Sequence, residues 1–304
     1  MGQTAYYSSS LCPDVISTGS LYLDQALSIG GIPHGYLTEI SGDYSTGKTT
    51  LCLNIIAEAQ RSDGVCAFVD SDRSFNYHYA VQCGVLPDQL FLVQPTCAEE
   101  ALEIVSLLAG TKAFAAIIID SLTSLVPYAE QNAPAGMFIE ESIEPILSKW
   151  LPHLSATIRQ NQTALVLTNA VSSGMSRVYH RLEDNLDRLA LPLSAAIRLK
   201  LGRTLETHTD QPTQRIQARV IKNKFAPCSK TVDIDIIVNR GINKTGELIN
   251  LGEKFSVLTR HGLVYYFQAN RLGSQQEEVN STLHFNPGLA HEIEQAIRQI
   301  MFAG

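Results

Sequence analysis

The sequence has no Cys-x-x-Cys pair, no apolar run that approaches the length of a membrane span, and no excess of basic residues. Its six cysteines are scattered along the chain: Cys12, Cys52, Cys66, Cys83, Cys97 and Cys228. That scatter argues against a disulfide framework and against a zinc site, so a reducing cytoplasm is the expected location. Because there is neither a long apolar run nor a charged-then-apolar leader, we expect no membrane partner.

Acidic residues outnumber basic ones, with 30 Asp and Glu against 23 Lys and Arg and a formal net charge of −7. This balance argues against a generally basic nucleic-acid binder, although it leaves room for a local binding loop. The 304 residues, 45% of them hydrophobic, are enough for one large domain and one small domain.

Short apolar runs alternate with amphipathic segments over the first half of the chain. The predicted strands are residues 36–40, 66–70, 90–93, 115–120 and 163–169. The predicted helices are residues 49–61, 75–82, 98–110 and 138–160, and we expect Pro145 and Pro152 to bend or interrupt the last. Alternating strands and helices predict an α/β fold whose parallel sheet is covered on both faces.

The pattern changes after this region. Three strand-like segments, "AAIRLKLGR", "RIQARVIKN" and "TVDIDIIVN", follow one another with little helix between them, which predicts an antiparallel meander. From about Gly252 a small α+β unit follows, with a final helix at residues 287–302. We therefore predict a short N-terminal segment (1–15), a large core (16–251) and a small C-terminal domain (252–304).

The stretch "SGDYSTGKTT" contains the spacing Gly42-x-x-x-x-Gly47-Lys48-Thr49, which is that of a P-loop. Glycines allow the backbone N–H groups to turn inward, and the N-terminus of the next helix favours a phosphate chain. Lys48 is then expected to reach the phosphates and Thr49 to bind Mg²⁺. The alternative is an ordinary glycine turn, but the predicted strand before it and helix after it favour nucleotide binding.

Asp120 ends the buried run "IIID" downstream of this loop. An acid at the tip of such a strand is typical of the Walker B arrangement, in which it holds Mg²⁺ directly or through water. The alternative is a strand-end aspartate with a structural role only.

Several further stretches resemble the bacterial RecA recombinases over nearly the whole chain. Besides the P-loop they are residues 16–42, 66–72, 116–127, 218–224 and 241–252. The resemblance implies a RecA-like P-loop NTPase core, with a mostly parallel central sheet and an antiparallel meander, plus the small α+β domain. It also implies ATP and Mg²⁺ as cofactors, filaments on single-stranded DNA with ATP between neighbouring subunits, and strand exchange in homologous recombination and DNA repair.

The resemblance assigns roles to individual positions. The residues expected to hold ATP are Gly42, Asp43, Tyr44, Ser45, Thr46, Gly47, Lys48, Thr49 and Thr50. Tyr79 corresponds to the residue that stacks on adenine, with a half-buried helical tyrosine as the alternative. Lys222 and Lys224 fall where the family keeps two lysines that reach the ATP of the neighbouring subunit, with solvated strand-end lysines as the alternative.

Two positions depart from the family pattern. The catalytic glutamate that polarises the attacking water is replaced by Asp72, whose carboxylate has a shorter reach, so we expect a weak, DNA-dependent ATPase. The glutamine that reports the γ-phosphate to the DNA-binding loop is replaced by Ala170, after Asn169. Alanine has no amide for that contact, which puts the coupling of nucleotide to DNA in doubt.

The loop after Ala170 also differs from the glycine-rich loop of the family. Its apolar residues have helical spacing: Met175, Val178, Tyr179, Leu182, Leu186 and Leu189. We therefore predict a helix over residues 175–189. Arg177, Arg181 and Arg188 are its candidate DNA-binding residues; the alternative is a helix packed on its own core or on a protein partner.

The two ends of the chain weaken other parts of the resemblance. Only fifteen residues precede Ile16, where the family has a helix and a strand that clasp the next subunit. The C-terminal domain lacks the basic excess that duplex DNA binding needs. Two hypotheses remain: an ATP-dependent recombinase that binds single-stranded DNA and self-associates across the ATP site, which we favour, and a nucleotide-binding paralogue that has a structural or regulatory role through a protein partner.

Overall fold

The structure is a computed structural model that describes residues 13–132, 134, 143–170, 190–204 and 213–303. The predicted helix at residues 175–189, with Arg177, Arg181 and Arg188, lies outside the described residues, as does most of the predicted N-terminal segment.

The strands are β1 (Val15–Ile16), β2 (Ile32–Pro33), β3 (Leu37–Gly42), β4 (Val65–Asp70), β5 (Leu90–Val93), β6 (Phe114–Asp120), β7 (Ala164–Ala170), β8 (Ile197–Arg203), β9 (Thr213–Asn223), β10 (Thr231–Ile237), β11 (Gly241–Ile242), β12 (Leu258–His261), β13 (Val264–Phe267) and β14 (Asn270–Gly273). The helices are α1 (Leu21–Leu27), α2 (Lys48–Arg61), α3 (Tyr77–Gln82), α4 (Ala98–Gly110), α5 (Tyr128–Gln131), α6 (Glu144–Asn161), α7 (Ala190–Ser194), α8 (Lys244–Lys254), α9 (Gln276–Phe285) and α10 (Pro287–Phe302). None of these helices is long and apolar enough to cross a membrane.

One large sheet organises the core. Among the described residues, nine strands join it in the order β11-β10-β9-β8-β3-β7-β6-β4-β5. The strands from β8 to β5 in this order run parallel, whereas β9, β10 and β11 are antiparallel to their neighbours. The predicted parallel sheet with an antiparallel meander is therefore confirmed.

Helices cover both faces of this sheet. Side chains of β6 alternate between the two faces: Ile118 packs with α2 on one side, and Ile117 and Ile119 pack with α4 and α6 on the other. Because both faces are covered, the central strands β3 and β7 bury every side chain and β6 buries all but Ala115, which explains the apolar runs that predicted them.

The two prolines of α6 do not interrupt it. Pro145 lies in the first turn, where its missing N–H costs no helical hydrogen bond. Pro152 lies inside the helix, which nevertheless continues to Asn161. Burial of Leu147, Leu151 and Leu154 against the sheet offsets the lost hydrogen bond, so of the two expected effects, a bend or an interruption, the interruption does not occur within α6.

A second, smaller layer follows the sheet. The strands β12, β13 and β14 form an antiparallel sheet, and α8, α9 and α10 share an apolar cluster with it that includes Leu251, Phe267 and Ile297. The division that we predict after residue 251 falls inside α8. This helix belongs to both the core and the C-terminal layer, because its N-terminus follows β11 directly and Leu251 packs in the C-terminal cluster.

Candidate nucleotide-binding site

The P-loop leaves the carboxyl end of β3 in the middle of the sheet and enters α2 at Lys48. Gly42 is required by a close backbone contact, and Gly47 mainly by its backbone conformation. A Cβ on Gly42 would lie 2.5 Å from the carbonyl oxygen of Leu201, and one on Gly47 would lie 2.7 Å from Cδ1 of Ile236. Gly47 also has a φ of +86°, which disfavours any other residue.

The first turn of α2 is open for a ligand. Gly47 is its N-cap and contributes no side-chain hydrogen bond to the N–H groups at the start of the helix. Those N–H groups and the helix dipole favour an anion at this position. The Thr46 hydroxyl donates to the carbonyl oxygen of Asp43 across 2.8 Å and closes the loop on itself.

Lys48 lies across the loop. Its Nζ donates to the carbonyl oxygens of Gly42 and Asp43 at 2.9 and 2.8 Å, which uses two of its three donors. Burial lowers the pKa of Lys48, and the negative charges of Asp120 and Asp43 oppose that change. A buried ammonium at the mouth of a phosphate-binding loop is stabilised by an anionic ligand.

Thr49 and Asp120 meet beside Lys48, although they are 71 residues apart in the chain. Thr49 Oγ1 donates to Asp120 Oδ2 across 2.6 Å, and Thr168 Oγ1 donates to the other carboxylate oxygen. Burial raises the pKa of Asp120, so a cation at this position would relieve the cost of the buried charge. A hydroxyl and a carboxylate are oxygen ligands of the kind that Mg²⁺ takes alongside phosphate oxygens, so the pair fits this metal.

Tyr79 lies against the start of α2. Its hydroxyl is 2.8 Å from Oγ1 of Thr50, and its ring is half-buried against the core. Burial raises the pKa of Tyr79 to about 12, so the phenol stays protonated and can hold this hydrogen bond. The structure therefore brings Tyr79 beside the P-loop helix.

Asp70 ends β4 and Asp72 follows two residues later, and the surroundings of the two acids differ. Asp70 is buried and accepts hydrogen bonds from the backbone N–H groups of Ser74 and Phe75 and from Gln94 Nε2. Asp72 is exposed, and its negative charge raises the pKa of Asp120 and opposes the lowered pKa of Lys48. The structure thus brings Asp72 into the same group as Lys48 and Asp120.

Lys222 and Lys224 are far from the P-loop of their own chain. Gly42 aligns with Leu201 of β8, which aligns with Ala218 of β9. Asn223 instead aligns through Ile197 with Thr38, near the start of β3. Four residues of strand separate the two ends, roughly 13 Å at about 3.3 Å per residue. Both lysines therefore lie at the opposite edge of the sheet.

The structure also shows an ion pair, between the buried Glu39 and Arg198, that sequence reasoning missed. Glu39 of β3 is buried and bonds on one side to Arg198 and on the other to Asn169, whose Nδ2 is 3.4 Å from Glu39 Oε1. Asn169 Oδ1 is buried with no hydrogen-bond partner among the described residues. Ala170, also buried, aligns with Gly42 at the start of the P-loop. A charged residue in the middle of a predicted buried strand was the signal for Glu39.

Comparison with known proteins agrees with this geometry. The sequence model of the RecA N-terminal domain matches residues 7–243, and that of the RecA C-terminal domain matches residues 246–301. Protein RecA of Chloroflexus aurantiacus is 38% identical over 293 residues, covering 96% of this chain and 84% of the relative. Protein RecA of Paramagnetospirillum magneticum is 37% identical over 288 residues, covering 94% and 80%.

Among solved structures, the RadB recombinase has a similar fold, with a TM-score of 0.54 and 23% identity, covering 75% of this chain and 98% of that one. Both RecA domains are thus matched in order along one chain that carries the P-loop, the Thr49–Asp120 pair and the mixed sheet. The chain belongs to the RecA family of recombinases.

Proposed function

We propose that this RecA-family protein binds ATP and Mg²⁺ at the P-loop and acts as an ATP-dependent recombinase on single-stranded DNA, in homologous recombination and repair. The observation that carries the proposal is the convergence of Lys48, Thr49 and Asp120 at one end of β3. In a P-loop protein these three groups serve the phosphates and the metal.

Each of these residues has a distinct task. The N–H groups from Gly42 to Thr50 wrap the phosphates, and Lys48 exchanges a loop carbonyl for a phosphate oxygen. Thr49 and Asp120 hold Mg²⁺, which when bound neutralises charge on the phosphate oxygens. Tyr79 supplies an aromatic face for adenine, its orientation fixed by the bond to Thr50.

Asp72 is the proposed acid that orients and polarises the attacking water. It follows Asp70, which aligns with Asp120, so its carboxylate stands at the same edge of the sheet as the metal ligands. Its reach is one methylene shorter than that of a glutamate, and position is the first requirement of a general base. Hydrolysis is therefore slow.

Lys222 and Lys224 act on the ATP of a neighbouring subunit. Their position at the far edge of the sheet excludes a role at their own P-loop, whereas self-association across the ATP site gives them an anionic partner. Two cations there would stabilise charge that develops on the γ-phosphate.

Arg177, Arg181 and Arg188 are the proposed contacts to the DNA backbone. Three arginines give at most about three phosphate contacts per subunit, so DNA binding is weak and falls with salt. A paralogue that works only through a protein partner is not favoured, because the chain matches both RecA domains over nearly its full length.

ATP hydrolysis with and without single-stranded DNA tests the proposal, with Lys48→Ala as the inactive variant and the exposed Lys149→Ala as its control. We expect slow turnover that rises with DNA, is lost in Lys48→Ala and is unchanged in Lys149→Ala. Full turnover in Lys48→Ala would show that the site is wrong. Nucleotide binding without any DNA binding or stimulation would contradict the recombinase and favour the paralogue.

A further inference from the structure

The tip of the P-loop is attached to the antiparallel meander. The carbonyl oxygen of Ser45 accepts a hydrogen bond from Arg203 Nε at 3.1 Å and a second from Gln214 Nε2 at 3.0 Å. Arg203 is the last residue of β8 and Gln214 the second residue of β9, so the two donors come from adjacent strands. A carbonyl oxygen has two lone pairs, and at Ser45 each of them accepts a hydrogen bond from a side chain.

Ser45 also has an unusual backbone. Its φ is +56°, in the left-handed region that serine seldom adopts. A loop residue stays in that region when the surrounding contacts hold it there. Arg203 and Gln214 are such contacts, because both bond to the peptide group that follows this φ angle.

The geometry of the peptide bond connects this anchor to the phosphate site. In a trans peptide the C=O and the N–H point in opposite directions. Two donors that hold the Ser45 oxygen towards the meander therefore turn the N–H of Thr46 away from it, towards the interior of the loop. An inward N–H at this position is the group that a phosphate-binding nest requires.

A second contact supports the loop from the same side. Gly47 lies directly against Cδ1 of Ile216 and Cδ1 of Ile236, from β9 and β10, on the side where a Cβ would project. The tip and the end of the P-loop thus both rest on the meander, whereas its first residue continues β3.

We propose that Arg203 and Gln214 are positioning residues that preset the P-loop for the phosphates of a nucleoside di- or triphosphate. The inference rests on the proposed nucleotide site and deepens it. Their task is to hold the Ser45–Thr46 peptide in the binding orientation before the ligand arrives, so that no binding energy is spent on ordering it. Neither side chain touches the reacting atoms.

The test uses Arg203→Met, Gln214→Met and the double variant, since methionine keeps the length of glutamine and of the arginine side chain as far as Nε, and removes the donors of both. The affinity for a fluorescent ADP analogue and the inhibition constant of inorganic pyrophosphate against it are measured, together with melting temperature without ligand. We expect both affinities to weaken in parallel, about tenfold in the double variant and about threefold in each single one. Because pyrophosphate has no base, a weaker affinity for it shows that contacts to the phosphates are lost and not contacts to the base.

Arg219→Met is the matched control, because Arg219 is an exposed arginine of β9 that is not bonded to the P-loop. It should bind ADP and pyrophosphate as the parent does. A lower melting temperature with unchanged ADP affinity would mean that Arg203 and Gln214 only stabilise the fold, and would overturn the inference. If the double variant does not fold, the single variants decide by the same criterion.

Lys48→Ala separates this inference from the proposed function. Loss of ADP binding in Lys48→Ala together with parental affinity in the double variant would refute the positioning role alone. Parental ADP binding in Lys48→Ala would instead refute the P-loop as the nucleotide site, and with it both proposals.

Discussion

Lys222 donates through Nζ to the carbonyl oxygen of Pro192 across 2.5 Å, within α7 of its own chain. Burial lowers the pKa of Lys222, the positive charges of Lys224 and Arg198 lower it further, and the negative charge of Glu39 opposes this change. The ammonium is thus crowded by like charge and held by neutral carbonyls. An anionic partner would satisfy it better, and the register of the sheet excludes the P-loop of the same chain as that partner.

A Lys222→Ala/Lys224→Ala variant should therefore lose ATP turnover while binding ATP normally. Mixed with Lys48→Ala, it should regain part of that turnover, because the Lys48→Ala subunit supplies the lysines and its neighbour supplies the P-loop. ATPase activity across a series of mixing ratios measures the rescue. Lys230→Ala is the control for a nearby lysine, since Lys230 bonds only to Ser28 among the side chains described. Absence of rescue at every ratio, with a monomeric mass at high protein and ATP concentration, would leave the lysines without a role across subunits.

Replacing Asp72 by asparagine should lower turnover about a hundredfold, which is the lower end of the range for the loss of a general base. The affinity for ADP should change less than about twofold. Asp72→Glu should raise turnover above that of the parent by restoring the reach of the carboxylate. Single-turnover ATP hydrolysis measures both, with the exposed Asp88→Asn as the control. Parental turnover in Asp72→Asn would point to another base.

The sequence was sufficient for the elements that make the site. The spacing of Gly42, Gly47 and Lys48 predicted the loop, and the apolar run before Asp120 predicted the strand that brings it to Thr49. The predicted bounds of β5, α4 and α10 agree with the structure.

Contacts between distant segments could not be predicted in this way. Thr168 bonds to Asp120 because β7 lies beside β6, and Arg203 reaches Ser45 because β8 lies beside β3. Both contacts depend on the order of strands in the sheet, which periodicity does not encode. Local backbone geometry predicted a bend or an interruption at Pro152, and packing against the sheet keeps α6 continuous through this residue.

Asp120→Asn should stabilise the protein in the absence of ligand. Since burial raises the pKa of Asp120 in the folded state, its ionised form is disfavoured at neutral pH, and this cost is present above the folded pKa. A neutral amide removes it, so the free energy of unfolding should rise on the order of 1 kcal/mol. The same change removes a metal ligand, so the additional stabilisation by ADP in the presence of Mg²⁺ should vanish.

Urea denaturation of the parent and of Asp120→Asn at pH 8, with and without ADP and Mg²⁺, measures both effects. Asp63→Asn, an exposed acid outside the site, serves as the control. Full stabilisation of Asp120→Asn by ADP and Mg²⁺ would remove Asp120 from the metal site.

Glu247 gives the fold a pH dependence of its own. It is buried on α8 and accepts hydrogen bonds from Ser20 Oγ at 2.8 and 3.0 Å and from the N–H of Tyr22 at 3.2 Å, which joins the C-terminal layer to the start of α1. Burial raises the pKa of Glu247 from 4.5 to about 8, and the nearby negative charge of Asp24 adds to the rise. The carboxyl is therefore protonated in the folded protein at neutral pH.

Its contribution to stability is fully present below pH 4.5, where both states are protonated, and is lost as the pH rises to about 8, since only the folded state keeps the proton between these values. The free energy of unfolding falls by at most about 1.4 kcal/mol for each pH unit in that window, and the loss levels off above about pH 8.

Glu247→Gln is neutral at every pH and keeps an acceptor for Ser20. The difference in free energy of unfolding between the parent and Glu247→Gln should therefore shift against the parent from pH 6 to pH 8 and change little from pH 9 upward. Urea denaturation at these pH values measures it, and groups other than Glu247 contribute alike to both proteins and cancel in the difference. Glu253 is an exposed glutamate on the same helix, and Glu253→Gln is the control. Its free energy of unfolding should change with pH in parallel with that of the parent. Parallel curves for Glu247→Gln would mean that Glu247 is already ionised in the folded protein.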